Sequence, residues 1–387
     1  MGFAIVMKEG NILKQKATLL VKVLSVIFVR ILLLIPHKKT KFLFTSKYGF
    51  SDNSKYLFNF YLKQGLDCTW VASCDKSYKE VYELVKNFPN GQVTKRNSSY
   101  LIFLLARARY VFVTHSFNDL GGIAIKTCPI VNLWHGIPIK KMGFDSQNDI
   151  ELFSLKTFNP YQINDFVISS SEVTKPLSSS CMALDAAKVL PLGQPRNDFL
   201  FENRGNRKLI NRLRQNYCGN DECRLILYAP TFRDQNSNAR KIYLGLIQSF
   251  KSYAPKSDIL VLRLHPKERD FLTGIALPKN IKHSNLSDVQ DELMAADMMI
   301  SDYSSIIFDY SILRRPTFLY APDRDVYFKN RGGSYFDYDD ILCECREIKE
   351  DKIDSIWGSL QNEEVNYPLL SSLHAKNACQ SIFQHFS

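Results

Sequence analysis

The sequence predicts an α/β protein built from two doubly wound domains that face each other across a cleft. Two observations carry this prediction. Short β-branched or aromatic runs alternate with segments suited to helices, and the alternation pauses once near the middle of the chain before it resumes. With 387 residues, of which 45% are hydrophobic and 23% charged, the chain is long enough to give each domain its own core.

The first half of the chain predicts five strands separated by helical segments such as residues 55–63 and 78–85. The predicted strands are residues 42–45, 68–72, 110–114, 130–134 and 166–168. Strands that alternate with helices form parallel sheets with helical crossovers, so we expect a parallel sheet here.

The alternation pauses at residues 190–198, where two prolines and a glycine indicate a turn. We therefore predict one domain at residues 41–195 and a second at residues 196–387. The second half resumes the pattern with predicted strands at residues 225–228, 259–264, 298–301 and 317–320. By analogy with such folds, the last helix, at residues 377–386, is expected to cross back to the first domain.

The first 40 residues form a separate basic and apolar segment. Much of the net charge of +11 lies there, since residues 1–41 contain one glutamate and eight basic residues, namely Lys8, Lys14, Lys16, Lys22, Arg30, Lys38, Lys39 and Lys41. An apolar stretch at residues 19–35 is interrupted by two of these charges and has one apolar helical face. It predicts an amphipathic helix on an anionic membrane surface, with a transmembrane anchor or a buried helix as alternatives. A cleavable signal peptide is disfavoured, because no small-residue cleavage pattern follows.

Composition narrows the classes of partner. The excess of basic residues lies in an apolar N-terminal segment and not in a groove interleaved with aromatic residues, which disfavours nucleic-acid binding. The nine cysteines contain no pair of CxxC motifs, and the CxC at Cys343 and Cys345 is a weak metal signal. We therefore expect reduced, mostly structural thiols in a cytoplasmic protein without a metal site.

Two histidines are the main catalytic candidates, because each ends an apolar run that is predicted to be a strand. His135 and His265 lie in opposite halves of the chain. Ligands of open α/β sheets bind at the carboxyl ends of the strands, and imidazole exchanges protons near neutral pH. We expect the two histidines to line one cleft.

Cationic and hydroxyl side chains accompany both histidines. Glycine and proline after His135 predict a sharp turn that exposes the imidazole, with Lys140 beside it as an anion ligand. Arg263 stands two residues before His265 and is a strong phosphate donor. The alternative for the first group is a hydrogen-bonded core histidine beside solvated lysines, and the alternative for the second is a charge cluster at the edge of a sheet.

Two further motifs follow predicted strands of the second half. The residues 301–305 (Ser-Asp-Tyr-Ser-Ser) lead into an apolar helix predicted at residues 306–313, so Asp302, Ser304 and Ser305 either present donors to a phosphate or simply cap that helix. Arg233, just past the strand 225–228, is positioned to reach a phosphate or a ribose. The sequence contains no GxxxxGK[ST], no GxSxG and no cluster of metal ligands, which disfavours P-loop NTPases, α/β-hydrolases and zinc enzymes.

The ordered set of motifs resembles the CDP-glycerol glycerophosphotransferase family, which builds teichoic acids and some capsules. The resemblance extends from about Lys41 to about Arg331. It is carried by five segments in order: residues 134–143 (Trp-His-Gly with the following Pro, Lys and Gly), 193–198 (Gly-Gln-Pro-Arg-Asn-Asp), 229–233 (Ala-Pro-Thr-Phe-Arg), 263–266 (Arg-Leu-His-Pro) and 301–305.

The resemblance implies two Rossmann-like domains of the glycosyltransferase B type, with the acceptor on the first and the CDP-polyol on the second. It implies that His135 is the general base and that His265 donates to the pyrophosphate. Ser304 and Ser305 are implied phosphate ligands, and Arg233, Arg263, Asp302 and Lys140 further substrate-binding residues. The donor is CDP-glycerol, the acceptor a membrane-linked glycan or polyol phosphate, and no cofactor is expected, with Mg²⁺ left open.

Three alternatives remain open at the level of sequence. A CDP-ribitol transferase or a nucleotide-sugar glycosyltransferase would use the same architecture, and a non-catalytic membrane-surface scaffold would keep the fold without the activity. The sequence does not distinguish a primase from a polymerase, a teichoic acid product from a capsule, or one oligomeric state from another. The expected location is peripheral, on the cytoplasmic face of the cell membrane.

Overall fold

The computed structural model describes residues 31, 40–121, 126–147, 149–150, 159–219, 222–233, 237–265, 268, 272, 274–286, 288–330, 332–359 and 363–387. The membrane-associating helix predicted within residues 1–40 lies outside this part of the chain, apart from Ile31 and Thr40. Within the described ranges, no helix combines the length and apolar character needed to cross a bilayer.

The described residues divide into two compact units. The first unit ends at Leu133 and also includes Ile163–Phe166, while the second unit comprises Trp134–Gln162 and Val167–Ser387. The domain boundary at residue 195 stays a prediction.

Both units contain parallel strands. The strands are β1 Lys41–Phe44, β2 Cys68–Ala72, β3 Gly91–Lys95, β4 Ala108–Val113, β5 Ile130–Asn132, β6 Phe166–Ile168, β7 Val189–Leu190, β8 Leu225–Tyr228, β9 Ile259–Leu262, β10 Ile281–His283, β11 Met298–Ser301, β12 Thr317–Leu319 and β13 Arg346–Glu347.

Helices connect most of these strands. The α-helices of the described residues are α1 Asp52–Lys63, α2 Asp75–Val85, α3 Tyr100–Arg107, α4 Lys175–Met182, α5 Pro195–Asn203, α6 Arg207–Cys218, α7 Ser237–Tyr253, α8 Val289–Ala295, α9 Ile306–Ser311, α10 Arg324–Asn330, α11 Tyr338–Ile341, α12 Ile356–Ser359, α13 Pro368–Ser372 and α14 Ala378–Phe386. This alternation confirms the α/β class that the sequence predicts.

The first unit contains a parallel sheet in the order β3-β2-β1-β4-β5. Its core is aromatic on one face, where Phe44 stacks on Phe112 with ring centroids 4.9 Å apart and meets Tyr61 edge-on at 5.4 Å. Aromatic pairs of this geometry add to the free energy gained by burying the rings. The strand order reverses between β1 and β4, which makes their carboxyl ends a switch point of the sheet.

The second unit contains a six-stranded sheet in the order β10-β9-β8-β11-β12-β13, in which each pair is parallel. Alternate residues of β8 enter two different apolar clusters: Leu225 and Leu227 join one, Ile226 and Tyr228 the other. The strand is therefore buried on both faces, as in a sheet covered by helices on each side. The order reverses between β8 and β11, which is the switch point of this unit. β6 and β7 form a further parallel pair.

One cysteine pair departs from the sequence prediction. Cys218 at the end of α6 and Cys223 just before β8 form a disulfide, with their Cα atoms 6.1 Å apart. The prediction of reduced thiols is wrong for these two residues, because the end of α6 lies close to the start of β8 and brings both sulfur atoms together. The seven other cysteines are free thiols.

Candidate active site

A pocket of about 550 Å³ opens at the carboxyl ends of strands in the second unit. Small-molecule sites commonly have volumes of about 300–1,000 Å³. Its lining follows β8 and β11, at the switch point, and also includes the segment after β5. The lining residues are Trp134, His135, Gly136, Ile137, Pro138, Ile139, Lys140, Met142, Ala229, Pro230, Thr231, Phe232, Arg263, Leu264, His265, Tyr303, Ser304, Ser305 and Ile306.

His135 is exposed to the pocket by an unusual turn. Trp134 has a φ of +57° and Gly136 a φ of +151°, so the backbone is in the left-handed region on both sides of the histidine. The indole of Trp134 packs against the imidazole, with ring centroids 4.4 Å apart. A Cβ atom on Gly136 would lie 2.7 Å from Oγ of Ser305, so only glycine allows this close approach.

The segment that carries Lys140 is held by a loop of the same unit. Lys140 forms an antiparallel bridge with Ser334, and the amide of Lys141 donates to the carbonyl of Gly333 at 3.0 Å. The amide of Tyr335 donates to the carbonyl of Ile139 at 2.9 Å. Lys140 lines the pocket, as the sequence predicts, and backbone pairing fixes the chain beneath it.

Arg263 and His265 enter the pocket from the end of β9. Nη1 of Arg263 bonds to Oε2 of the buried Glu292 at 2.5 Å and to Oγ of Ser284 at 3.0 Å. The hydrogen bonds that Arg263 makes to described residues through its side chain all use Nη1, which leaves Nε and Nη2 for a ligand. His265 packs on Phe232, with ring centroids 4.7 Å apart.

Ser304 and Ser305 reach the pocket immediately before α9. The hydroxyl of Ser304 accepts from the amide of Ile306 at 3.4 Å, and the amides of Ile307 and Phe308 donate to the carbonyls of the two serines at 3.2 Å. The helix predicted at residues 306–313 ends at Ser311 and has only six residues. Its start therefore resembles a tight turn that presents two hydroxyl groups more than a long helix with a strong dipole.

Arg233 and Asp302 lie behind the pocket and do not line it. Nη1 of Arg233 is 2.8 Å from Oδ2 of Asp302, and its Nε is 2.7 Å from Oδ2 of Asp323. Arg233 is only 2% exposed. The other oxygen of Asp302 accepts from the amides of Thr231 and Tyr303 at 2.8 and 2.6 Å. The pair thus ties the β8 and β11 loops together.

Charge within this buried cluster shifts the pKa of its members. Burial of Arg233 opposes its charged form, but the carboxylates of Asp302 and Asp323 outweigh burial and raise its pKa above the ordinary value. Burial also opposes ionisation of Asp323, yet the guanidinium of Arg233 holds the pKa of this carboxyl below its ordinary value. The guanidinium and the two carboxylates are therefore paired with one another, which favours a supporting role.

The structure brings six of the eight predicted site residues into one pocket. The six are Lys140, His135, Arg263, His265, Ser304 and Ser305. Their chemical roles stay predictions, as does substrate binding by Arg233 and Asp302. Sequence reasoning missed Glu292, which fixes Arg263 from α8, because no motif surrounds it. Among the described residues, no group of three or more His, Cys, Asp or Glu side chains could hold a metal ion.

A switch-point pocket lined by two imidazoles, an arginine and paired hydroxyls suits a phosphorylated ligand. Residues 27–357 match the family model described as CDP-glycerol:poly(glycerophosphate) glycerophosphotransferase. The chain belongs to this family, and it is a transferase of the glycerophosphotransferase class.

Similar curated proteins act in teichoic acid synthesis. The chain is 28% identical over 352 residues to the teichoic acid poly(glycerol phosphate) polymerase of Bacillus spizizenii, covering 86% of each protein. It is 26% identical to the teichoic acid glycerol-phosphate transferase of Staphylococcus aureus, covering 79% of each. It is also 26% identical to the teichoic acid ribitol-phosphate primase of Bacillus spizizenii, covering 67% of this chain and 72% of the primase.

Solved structures share the fold. The wall teichoic acid polymerase TagF superimposes with a TM-score of 0.70 at 21% identity, covering 97% of both chains. The UDP-GlcNAc 2-epimerase of Neisseria meningitidis gives a TM-score of 0.53 at 12% identity, covering 89% of this chain and 99% of the epimerase. At these identities the likeness supports the α/β fold alone.

Proposed function

We propose that the protein transfers glycerol phosphate from CDP-glycerol to a hydroxyl of a membrane-linked acceptor or growing polymer and releases CMP. The observation that carries this proposal is the convergence of His135, His265, Arg263 and the two serines on one pocket. Family membership supports the donor, and the curated relatives support teichoic acid as the product. A capsule product is a less supported variant of the same reaction.

The proposed reaction is an in-line displacement at the β-phosphorus of CDP-glycerol. The acceptor oxygen forms a bond to this phosphorus, the bond to the oxygen that bridges the two phosphates breaks, and CMP leaves with that oxygen. His135 takes the proton of the acceptor hydroxyl. Phosphoryl transfer depends mainly on alignment and on stabilising negative charge, which is the chemistry that a base with cationic and hydroxyl donors supplies.

Each remaining residue has a proposed part. His265, Arg263 and the hydroxyls of Ser304 and Ser305 bind the pyrophosphate, with Nε and Nη2 of Arg263 directed to it because Nη1 is already bound to Glu292. Lys140 adds positive charge on the side of His135. Arg233 and Asp302 act through the loops that they join, since their hydrogen bonds lie within the protein.

The roles of the two histidines are tested by separate substitutions. His135→Ala should lower turnover by about 100- to 10,000-fold, the usual contribution of a general base, while CMP binding stays nearly unchanged. His265→Ala should weaken CMP or CDP-glycerol binding as well. CMP release gives turnover and calorimetry gives affinity. The matched control is His283→Ala, an exposed histidine at the end of β10 that does not line the pocket.

Two results would overturn these assignments. If His135→Ala turns over at the wild-type rate, His135 is not the general base. If His265→Ala binds the nucleotide with unchanged affinity, His265 does not contact the pyrophosphate. Running the assay with Mg²⁺ and with EDTA tests the proposal that no resident cofactor is needed.

A ribitol donor is the second candidate, favoured by the 26% identity to a ribitol-phosphate primase, equal to that of the glycerol-phosphate transferase. Parallel assays with CDP-glycerol, CDP-ribitol and a nucleotide sugar, read by nucleotide release and by the mass of the product, decide between them. Product length also separates a primase from a polymerase.

The wider arrangement belongs to the same proposal. We propose two domains of the glycosyltransferase B type with the acceptor on the first, and a basic segment at residues 1–40 that binds anionic lipid at the cytoplasmic face of the membrane. The charge of that segment and the membrane-linked acceptor support this location.

A further inference from the structure

The switch point of the first unit is filled with polar side chains. We use the name β1–β4 crevice for residues 45–50 and 114–119, which follow β1 and β4. Thr45, Ser46 and Thr114 are completely buried here. An ordinary core would place apolar side chains at these positions, whereas ligands of open α/β sheets bind at this point of the fold.

Hydrogen bonds fix the floor of the β1–β4 crevice. The hydroxyls of Ser54 on α1 and Thr114 are 2.7 Å apart, and Oγ1 of Thr45 donates to the carbonyl of Val71 at 3.0 Å. The hydroxyl of Ser46 is buried and has no hydrogen-bond partner within the described residues. These side chains are closed to solvent, so they shape the crevice while its accessible residues contact a ligand.

A histidine and a buried aspartate form one wall. Oδ2 of Asp119, which is 1% exposed, accepts from the amide of His115 at 2.9 Å and lies 3.7 Å from its Nδ1. The carbonyl of His115 accepts from the amide group of Asn132 at 3.2 Å. The backbone of His115 is thereby fixed at both its amide and its carbonyl, the ring lies beside the carboxylate, and the imidazole remains partly accessible.

An exposed aromatic ring packs against this histidine. Tyr48 is 60% exposed, and its ring packs edge-on against His115 with centroids 5.1 Å apart. Nζ of Lys47 lies 5.2 Å from the centre of the same ring. An exposed ring flanked by an imidazole and an ammonium group can bind a ligand that has both a C–H face and negative charge.

We propose that the β1–β4 crevice binds the acceptor, a phosphate-bearing polyol or sugar unit, through Tyr48, Lys47 and His115. The inference rests on the proposed function and deepens it by naming the acceptor residues. The ring of Tyr48 packs on the carbon face of the polyol, Lys47 pairs with its phosphodiester, and His115, oriented by Asp119, hydrogen-bonds a hydroxyl.

A nucleotide fits this crevice poorly. Dinucleotide sites have a glycine-rich turn after the first strand that leads the pyrophosphate to a helix start. Here Gly49 is the only glycine in residues 45–53, and the first turn of α1 holds Asp52, whose Oδ1 accepts from the amide of Asn53 at 2.8 Å. A carboxylate at the helix start repels a pyrophosphate.

The test separates acceptor binding from donor binding. With the full chain, CDP-glycerol and a synthetic tri(glycerol phosphate) acceptor, Tyr48→Ala and His115→Ala should each raise the acceptor KM by about tenfold or more, equivalent to one lost contact. The KM for CDP-glycerol should stay within about twofold. Tyr48→Phe, which keeps the ring, should restore the acceptor KM.

Tyr82→Ala is the matched control. This tyrosine on α2 is 48% exposed and has Lys86 5.0 Å from its ring centre, so it reproduces the Lys47–Tyr48 pair away from the crevice. The control should leave both KM values at wild-type level. Equal acceptor KM values for wild type, Tyr48→Ala and His115→Ala would overturn the inference while CMP release still supports the proposed function.

A wild-type protein that releases no CMP would instead refute the proposed function. Saturation-transfer NMR with the tri(glycerol phosphate) probe then decides about the crevice: transfer lost in Tyr48→Ala but kept in Tyr82→Ala supports a polyol-phosphate site, and equal transfer in both overturns it.

Discussion

Gly136 decides how the segment after β5 approaches the start of α9. Its φ of +151° and the 2.7 Å between a Cβ at this position and Oγ of Ser305 leave no room for a side chain. The glycine after His135 is therefore needed for packing as well as for the turn, and it links the two motifs that the proposed mechanism uses.

Gly136→Ala should lower the free energy of unfolding by about 1–3 kcal/mol, because it combines backbone strain with a close contact. The penalty should be smaller in a Ser305→Ala background, where the closest atom is gone. Urea denaturation of wild type, Gly136→Ala, Ser305→Ala and the double variant measures the coupling free energy between the two positions.

Gly205→Ala is the matched control, since a Cβ there has nothing within 4 Å and its φ is not positive. It should change the free energy of unfolding by less than about 0.5 kcal/mol. A Gly136→Ala protein as stable as wild type, with no coupling to Ser305, would show that the turn tolerates a side chain.

At the scale of elements, a buried polar network joins α5 and α9 to the segment before α14. Nδ1 of His374 lies 3.1 Å from the side-chain nitrogen Nδ2 of Asn197, and its Nε2 lies 2.9 Å from the backbone carbonyl oxygen of Phe308. These contacts fit a neutral ring that donates from Nε2. Arg196 and Asp309 form a buried ion pair at 2.8 Å in the same layer. Arg196 and Asn197 thus hold α9, whose first residue, Ile306, lines the pocket.

His374 should make stability depend on pH. Burial lowers its pKa below the ordinary value of 6.5, so the unfolded chain takes up a proton at a higher pH than the folded protein does. This contribution is fully present above about pH 6.5 and is lost as the pH falls below it, by at most about 1.4 kcal/mol per pH unit.

Denaturation curves between pH 7.5 and 5.5 test this expectation. His374→Gln should show a shallower loss of stability than wild type over that interval, whereas His385→Gln, at an exposed position of α14, should keep the wild-type slope. Identical slopes for wild type and His374→Gln would contradict the neutral buried ring.

The strands that the sequence missed share a physical reason. β3, β7, β10 and β13 lie at sheet edges, and each is either polar at several positions or only two residues long, so none shows the continuous apolar run of a central strand. The central strands β8, β9, β11 and β12 were predicted within two residues at each end, because burial on both faces leaves a clear pattern. Whether an edge strand forms depends more on pairing with the neighbouring strand than on the composition of the edge strand itself.

At the scale of the whole molecule, each unit presents a polar switch point. The second unit's pocket has an arginine and paired hydroxyls for a pyrophosphate, and the first unit's crevice has an exposed ring and a lysine. The two sites therefore differ in the ligand chemistry that they suit.

CMP binding should slow backbone hydrogen exchange in the second unit. Hydrogen exchange with CMP at 100 times its Kd should slow at residues 229, 231–232, 263–265 and 303–306, with a stabilisation of about 2.7 kcal/mol. The amides of residues 45–50 and 114–119 serve as the internal reference. Protection confined to that reference would assign the nucleotide to the first unit and contradict the proposed division.

The sequence by itself determined the α/β class, the central strands, and the positions of His135, His265, Arg263, Ser304 and Ser305 at strand ends, because hydrophobic periodicity and turn residues are local properties. Only the tertiary structure decided that Arg233 and Asp302 pair behind the pocket, that Glu292 fixes Arg263, and that Cys218 meets Cys223. Each of these contacts depends on which charged or sulfur-containing side chains become neighbours when folding removes them from water. No local pattern encodes that choice.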